Sequence, residues 1–229
     1  PASASAACGG SYNLRSEMNA QTQSLTLQGP AGAIEALLDL PDPAQFAAAR
    51  GTAVIAHPHP LFAGTMTNKV VQTLARACVQ CGWRALRFNF RGVGASAGAY
   101  DEGRGEVDDM LAAVAAQAPA NEALVVAGFS FGAYVASRAV AALHGTRPID
   151  GVVLVGTAAS RFDVAPVPPD LHPQTLVVHG ERDDTVPLAS VMDWARPQSL
   201  PVTVVPGGEH FFHGQLPLLK TLVVRHLRP

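Results

Sequence analysis

Six short apolar runs punctuate this chain, and the segments between them carry helical periodicity. TAVIAHP (52–58), ALVVAGF (123–129), GVVLVGT (151–157) and TLVVHG (175–180) are nearly continuous; WRALRFNF (83–90) alternates, and PVTVVPG (201–207) closes the series. Helical stretches lie near 66–81, 104–117, 131–144, 188–196 and 214–227. Strand–helix–strand alternation of this length predicts βαβ crossovers around a parallel sheet. Continuous apolar strands need helices over both faces, because each face must be kept from water. Two earlier strands, 22–28 and 33–40, flank Gly29-Pro30 and predict an opening antiparallel hairpin. The expected fold class is α/β: a three-layer α/β/α sandwich on a mostly parallel twisted sheet with an N-terminal antiparallel hairpin.

Length and charge narrow the remaining choices. At 229 residues the chain suits one domain, expected over 21–229 behind a flexible leader at 1–20. A chain of this size buries roughly 70–75% of its unfolded surface and needs no disulfide or metal staple. Sixteen Lys and Arg against eighteen Asp and Glu give a net charge of −2, so no field draws it to nucleic acid or an anionic membrane. No apolar run approaches the roughly 18 residues that span a bilayer. The leader PASASAACGGSYNLRSEMNA lacks a charged region followed by an apolar one, and Met18 offers an alternative start. The expectation is a cytoplasmic protein with no membrane partner. Three cysteines cannot all pair within one chain. Cys78 and Cys81 form C-x-x-C, but no second ligand pair exists, so they read as small apolar residues ending a helix. Cys8 is expected to be exposed.

Gly128-Phe129-Ser130-Phe131-Gly132 is the sharpest chemical signal. It follows the strand ALVVAGF and opens the helical stretch FGAYVASRAV, so G-x-S-x-G stands in the strand–turn–helix setting that gives it meaning. Glycines at 128 and 132 remove β-carbons that would strike the neighbouring strand and helix. The Phe131 amide then opens a helix and can donate to a developing oxyanion.

A serine at its free pKa is a weak nucleophile and needs a base held by an acid. Asp183 lies on the loop past TLVVHG, at the carboxyl end of its strand, where open α/β sheets place their sites. Asp184 competes for the role and is read as a loop or capping residue. His210 lies past PVTVVPG and is the expected base, with His213 as the alternative one helical turn along. The second oxyanion donor is expected from His57-Pro58-His59-Pro60-Leu61-Phe62, where two prolines stiffen the loop. Neither proline carries an N–H, so the Leu61 amide is the first choice and that of Phe62 the second. His57 and His59 form an H-x-H pair, but no third ligand is near in sequence, so no metal is expected.

Glycines at 92, 94 and 98 suit a sharp loop in FNFRGVGASAG, which lacks the spacing of a dinucleotide or P-loop fingerprint. Arg91 is read as a structural partner of Asp101 or Glu106. Asp108 and Asp109 are read as the solvated face of the following helix.

Taken together, HPHPLFAGTMTNKVV, FNFRGVGASAGAYDEGRGEVDD, GFSFGAYVA, HGERDDTVP and GGEHFF resemble the α/β-hydrolase superfamily. Within it, the chain looks like the small lidless serine hydrolases related to dienelactone hydrolase, over about residues 22–226. The resemblance implies Ser130 as nucleophile, Asp183 as acid and His210 as base. Dienelactone hydrolase itself uses cysteine, so Ser130 departs from that enzyme and dienelactone is not implied as substrate. The expected activity is cleavage of a small-molecule ester through an acyl-enzyme, with no cofactor; a thioesterase or peptidase using the same triad is the alternative. Phe62, Phe129 and Phe211 are the expected substrate-binding residues. The rival from another class is a non-catalytic scaffold, which would normally have lost a triad member.

Overall fold

The computed structural model describes residues 21–228. The expected leader at 1–20, with Cys8 and Met18, lies outside the described residues.

Eight strands form one sheet in the order β1-β2-β4-β3-β5-β6-β7-β8. They are β1 (Gln23–Gly29), β2 (Gly32–Asp39), β3 (Gly51–Ala56), β4 (Arg84–Phe88), β5 (Ala123–Phe129), β6 (Gly151–Val155), β7 (Thr175–Gly180) and β8 (Val202–Val205). β1 pairs antiparallel with β2, closing at Gly29 opposite Gly32, and β2 pairs antiparallel with β4. All other pairings are parallel. Five α-helices complete the layers: α1 (Lys69–Gln80), α2 (Arg104–Gln117), α3 (Phe131–Leu143), α4 (Leu188–Ala195) and α5 (Leu216–Leu227). The eight strands and five helices expected from the sequence are present, with several ends shifted by one to three residues. The apolar run at 52–58 stops being strand at Ala56, because Pro58 cannot donate to a ladder.

Alternation along the strands splits the core in two. Val54, Val126 and Leu154 join α2, α3 and α4 on one face; Ile55, Val125 and Val153 join α1 and α5 on the other. Both sets are fully buried, which is why these strands read as unbroken apolar runs. The proline-rich segment after β6 is an ordered connection containing a 3-10 turn at Pro169–Gln174, held by buried Val164, Val167 and Leu171. Cys78 and Cys81 are buried free thiols, and burial raises the pKa of both. Among the described residues, no helix is long and apolar enough to cross a membrane.

The chain runs from β3 outward to β4, then returns past β3 to β5 and proceeds the other way. The crevice at the carboxyl ends of β3 and β5 is therefore the topological switch point of the sheet, where such folds bind ligands.

The Arg91 loop differs from its expectation. Arg91 pairs with Asp109, through Nη2 to Oδ1 at 2.8 Å and Nε to Oδ2 at 3.0 Å. Asp109 is buried, and only Asp108 faces solvent. Glu106 and Asp101 are taken up at the start of α2: Glu106 accepts from the amides of Asp101 and Gly103, and Asp101 from that of Gly105. Asp109, three residues after Glu106, shares its inward helix face and is left to meet the guanidinium.

Candidate active site

Five loops converge over that crevice. The turn from β5 into α3 holds Ser130 at φ 58° and ψ −117°, a left-handed backbone that a β-carbon resists. The strain is sustained because Gly128 packs on Gly132, and Gly132 in turn lies on the carbonyls of Ala56 and His57. A β-carbon at either glycine would overlap those backbone atoms. The turn presents the Ser130 hydroxyl above the sheet, and the Phe131 amide begins α3.

Asp183, on the loop after β7, is buried. Its Oδ1 accepts from the amides of Thr185 at 3.0 Å and Val186 at 2.7 Å. Its Oδ2 lies 2.6 Å from His210 Nδ1. A carboxylate accepts, so Nδ1 carries the proton and Nε2 presents a lone pair to Ser130 Oγ at 3.0 Å. His210 is buried, with Phe129 packed on its ring. The structure thus joins Ser130, His210 and Asp183 in one hydrogen-bonded chain. Asp184 and His213, the two alternatives, are both exposed, and His213 pairs with Glu209.

The loop after β3 is built around two neutral histidines. His57 is fully buried; its Nδ1–H donates to the Pro58 carbonyl at 2.6 Å, and its Nε2 accepts from the Phe90 amide at 3.0 Å. Only the neutral ring satisfies both bonds. Burial is the chief reason its pKa falls from 6.5 to about 4, opposed by the Pro58 bond and aided by His59. The unfolded chain takes up this proton near 6.5, whereas the folded chain resists until about 4. The His57 contribution is therefore whole above the ordinary value and shrinks as pH falls toward the lowered one. Between about pH 7.5 and about pH 5 the loss is about 2 kcal/mol, read from urea unfolding. NMR should show the ring still in its neutral Nδ1–H form at about pH 5; titration near its ordinary pKa would contradict the assignment.

His59 Nδ1 accepts from the Leu61 amide at 3.2 Å, so its proton sits on Nε2, which donates to Tyr100 at 3.2 Å. This corrects the expected oxyanion donor. Leu61 is 66% exposed and its amide is spent on His59, while the Phe62 amide donates to the His59 carbonyl. The physical reason is a 3-10 turn at Pro60–Phe62, which His59 caps with its own side chain. The amides of His59 and Phe131 have no hydrogen-bond partner among the described residues. Among those residues, too, no three His, Cys, Asp or Glu side chains are grouped to hold a metal ion.

A cavity of about 310 Å³ opens beside Ser130 and His210. Phe62, Phe131, Phe162 and Phe211 wall it, with Asn68 and Arg161 among its polar lining. Of the three phenylalanines expected to bind substrate, Phe62 and Phe211 reach this wall. Phe129 does not: it is fully buried on the α1/α5 face, behind His210. Strand alternation gives the reason, since Phe129 shares the parity of Val125 and Ala127. Two contributors escaped the sequence reading. His179, at the end of β7, is buried with Nε2 at 2.9 Å from the Val186 carbonyl and 3.4 Å from Asp183 Oδ2. Desolvation lowers its pKa. Arg161, on the loop after β6, follows the same carboxyl-end rule that singled out Asp183, and that rule was its available signal.

The alpha/beta hydrolase domain family matches residues 50–217. An uncharacterized protein of Rickettsia prowazekii is 32% identical over 170 residues, covering 70% of this chain and 71% of its own. The crystal structure of a Xanthomonas campestris α/β serine hydrolase without a lid superposes with a TM-score of 0.80 at 39% identity, covering 92% of this chain and 95% of that one. An α/β serine hydrolase homologue from Coxiella burnetii gives 0.74 at 36% identity, covering 90% and 97%. On the family match over most of its length and on these relatives, the chain belongs to the alpha/beta hydrolase family.

Proposed function

We propose that this protein is a serine hydrolase that cleaves esters of small acyl substrates by transferring the acyl group to water. The observation that carries the reading is the hydrogen-bonded chain from Asp183 through His210 to Ser130 beside an aromatic-walled cavity. Ser130 Oγ attacks the ester carbonyl while His210 Nε2 takes its proton. Asp183 holds the ring in its Nδ1–H form and stabilises the imidazolium. The oxyanion is received by the Phe131 amide and, on the β3–α1 loop, by the His59 amide. His210 then gives its proton to the departing alcohol. It next draws one from water, whose oxygen cleaves the acyl-enzyme and restores Ser130. Each oxyanion donor contributes about 2.7–4 kcal/mol to lowering the barrier, so the fixed shape of the His57–Phe62 loop matters nearly as much as the triad.

The cavity lies at the small end of ligand pockets, which suits a short acyl group. The proposed compartment is the cytoplasm, in keeping with two neighbouring buried thiols left unbridged. A fluorophosphonate probe tests the reading directly. One adduct per chain is expected, mapping to Ser130 by mass spectrometry. An unlabelled, folded protein at neutral pH would favour the non-catalytic scaffold.

A further inference from the structure

We infer that the ester carries a carboxylate, which the Arg161 guanidinium receives at the wall of the cavity; this rests on the hydrolase reading above. Arg161 lines the same cavity as Ser130 and His210, and among the described residues no Asp, Glu or Lys lines it with them. The guanidinium makes no hydrogen bond or ion pair with any described residue. The acidic side chain nearest in sequence, Asp163, is engaged by Arg138. Of the two histidines on the cavity, His210 is engaged by Asp183 and Ser130, and His59 has its pKa lowered, by desolvation first and the Arg161 charge second. At neutral pH, Arg161 is therefore the fixed cation of the cavity.

The remaining polar groups point to the same ligand chemistry. Asn68 Oδ1 is spent on the Val70 amide at the start of α1, which leaves its Nδ2 as a donor with no partner among the described residues. Asn68 Nδ2 and the Arg161 guanidinium are both donors, so the matching group on the ligand is an acceptor. Phe131 is buried and Phe162 half-buried on that wall, whereas Arg161 is exposed, so water screens part of the field that an anion meets there. A planar guanidinium fits a carboxylate with two parallel N–H···O bonds, a match that an ammonium cannot reproduce. The substrate class is thus a short ester bearing a carboxylate on either its acyl or its alcohol part, such as a half-ester of a dicarboxylic acid.

Two matched pairs of esters test the assignment. For a charged acyl chain, mono-p-nitrophenyl glutarate is compared with p-nitrophenyl pentanoate. For a charged leaving group, 3-carboxyphenyl pentanoate is compared with 3-carbamoylphenyl pentanoate. Ser130→Ala serves as the blank for spontaneous hydrolysis. The quantity read is the ratio of kcat/KM for the charged ester to that for the neutral one. In Arg161→Gln this ratio is expected to fall at least about fivefold in one pair, mainly through KM, the modest size reflecting an exposed charge. Arg161→Lys should recover part of the loss, and added salt should lower the wild-type ratio. A smaller change in both pairs, with Ser130 still labelled by fluorophosphonate, overturns the Arg161 assignment alone. If wild type cleaves none of the four esters and Ser130 takes no label, the hydrolase reading falls and this one with it.

Discussion

Ser130→Ala is expected to lower turnover of a reactive ester by at least about 10³-fold while the fold stays intact. The alanine keeps the β-carbon, so the strained backbone at φ 58° is unchanged and the packing of Gly128 on Gly132 is undisturbed. What disappears is the oxygen 3.0 Å from His210 Nε2. Without it no acyl-enzyme forms, and what survives is whatever rate the oxyanion donors and binding supply to water alone. The measurement is kcat/KM on p-nitrophenyl pentanoate, with near-ultraviolet circular dichroism to show that tertiary packing is retained. Wild-type activity in a clean alanine variant would remove Ser130 from the mechanism.

Asp39→Ala is expected to cost about 3–5 kcal/mol of stability, the largest single loss outside the site. Asp39 and Arg87 are both fully buried, β2 against β4, with Nε to Oδ2 at 2.7 Å and Nη2 to Oδ1 at 3.1 Å. Thr22 Oγ1 also donates to Asp39 Oδ1, at 2.6 Å. Removing the carboxylate leaves a guanidinium charge out of water without the Asp39 charge opposite it, and the Met66 carbonyl at 3.1 Å does not replace that carboxylate. The loss is a large share of the roughly 5–15 kcal/mol that holds a domain together. It also reaches the site. Arg87 and Asn89 together hold Met66, on the β3–α1 loop, so that loop loosens with the pair. Urea unfolding reads the effect. Replacing both partners, Asp39→Ala with Arg87→Met, should recover much of the stability because no buried charge remains. A loss below about 1 kcal/mol in the single variant would show that the pair is not what holds β2 to β4.

Much of this protein is legible without coordinates because its signals are local and periodic. Runs such as GVVLVGT can be buried on both faces only inside a parallel sheet, and Gly-Phe-Ser-Phe-Gly can follow such a strand only through a sharp turn. Residues just past strand ends collect at one edge of a parallel sheet, and that rule, with the G-x-S-x-G motif and the family resemblance, pointed to Ser130, Asp183 and His210. Tertiary structure decided what depends on direction and competition. Arg91 was expected to meet Asp101 or Glu106, and the demands of the α2 start left it Asp109. The Leu61 amide was free by composition, until the His59 ring turned to cap the same short turn. Arg161 came to line the cavity beside Ser130 through the packing of the loop after β6 on α3, Phe162 on Tyr134 and the Ala165 amide on Ser137 Oγ. Order along the chain assigns residues to elements; which of several rival donors meets which acceptor is settled by packing, where each polar group admitted to the interior must find its partner.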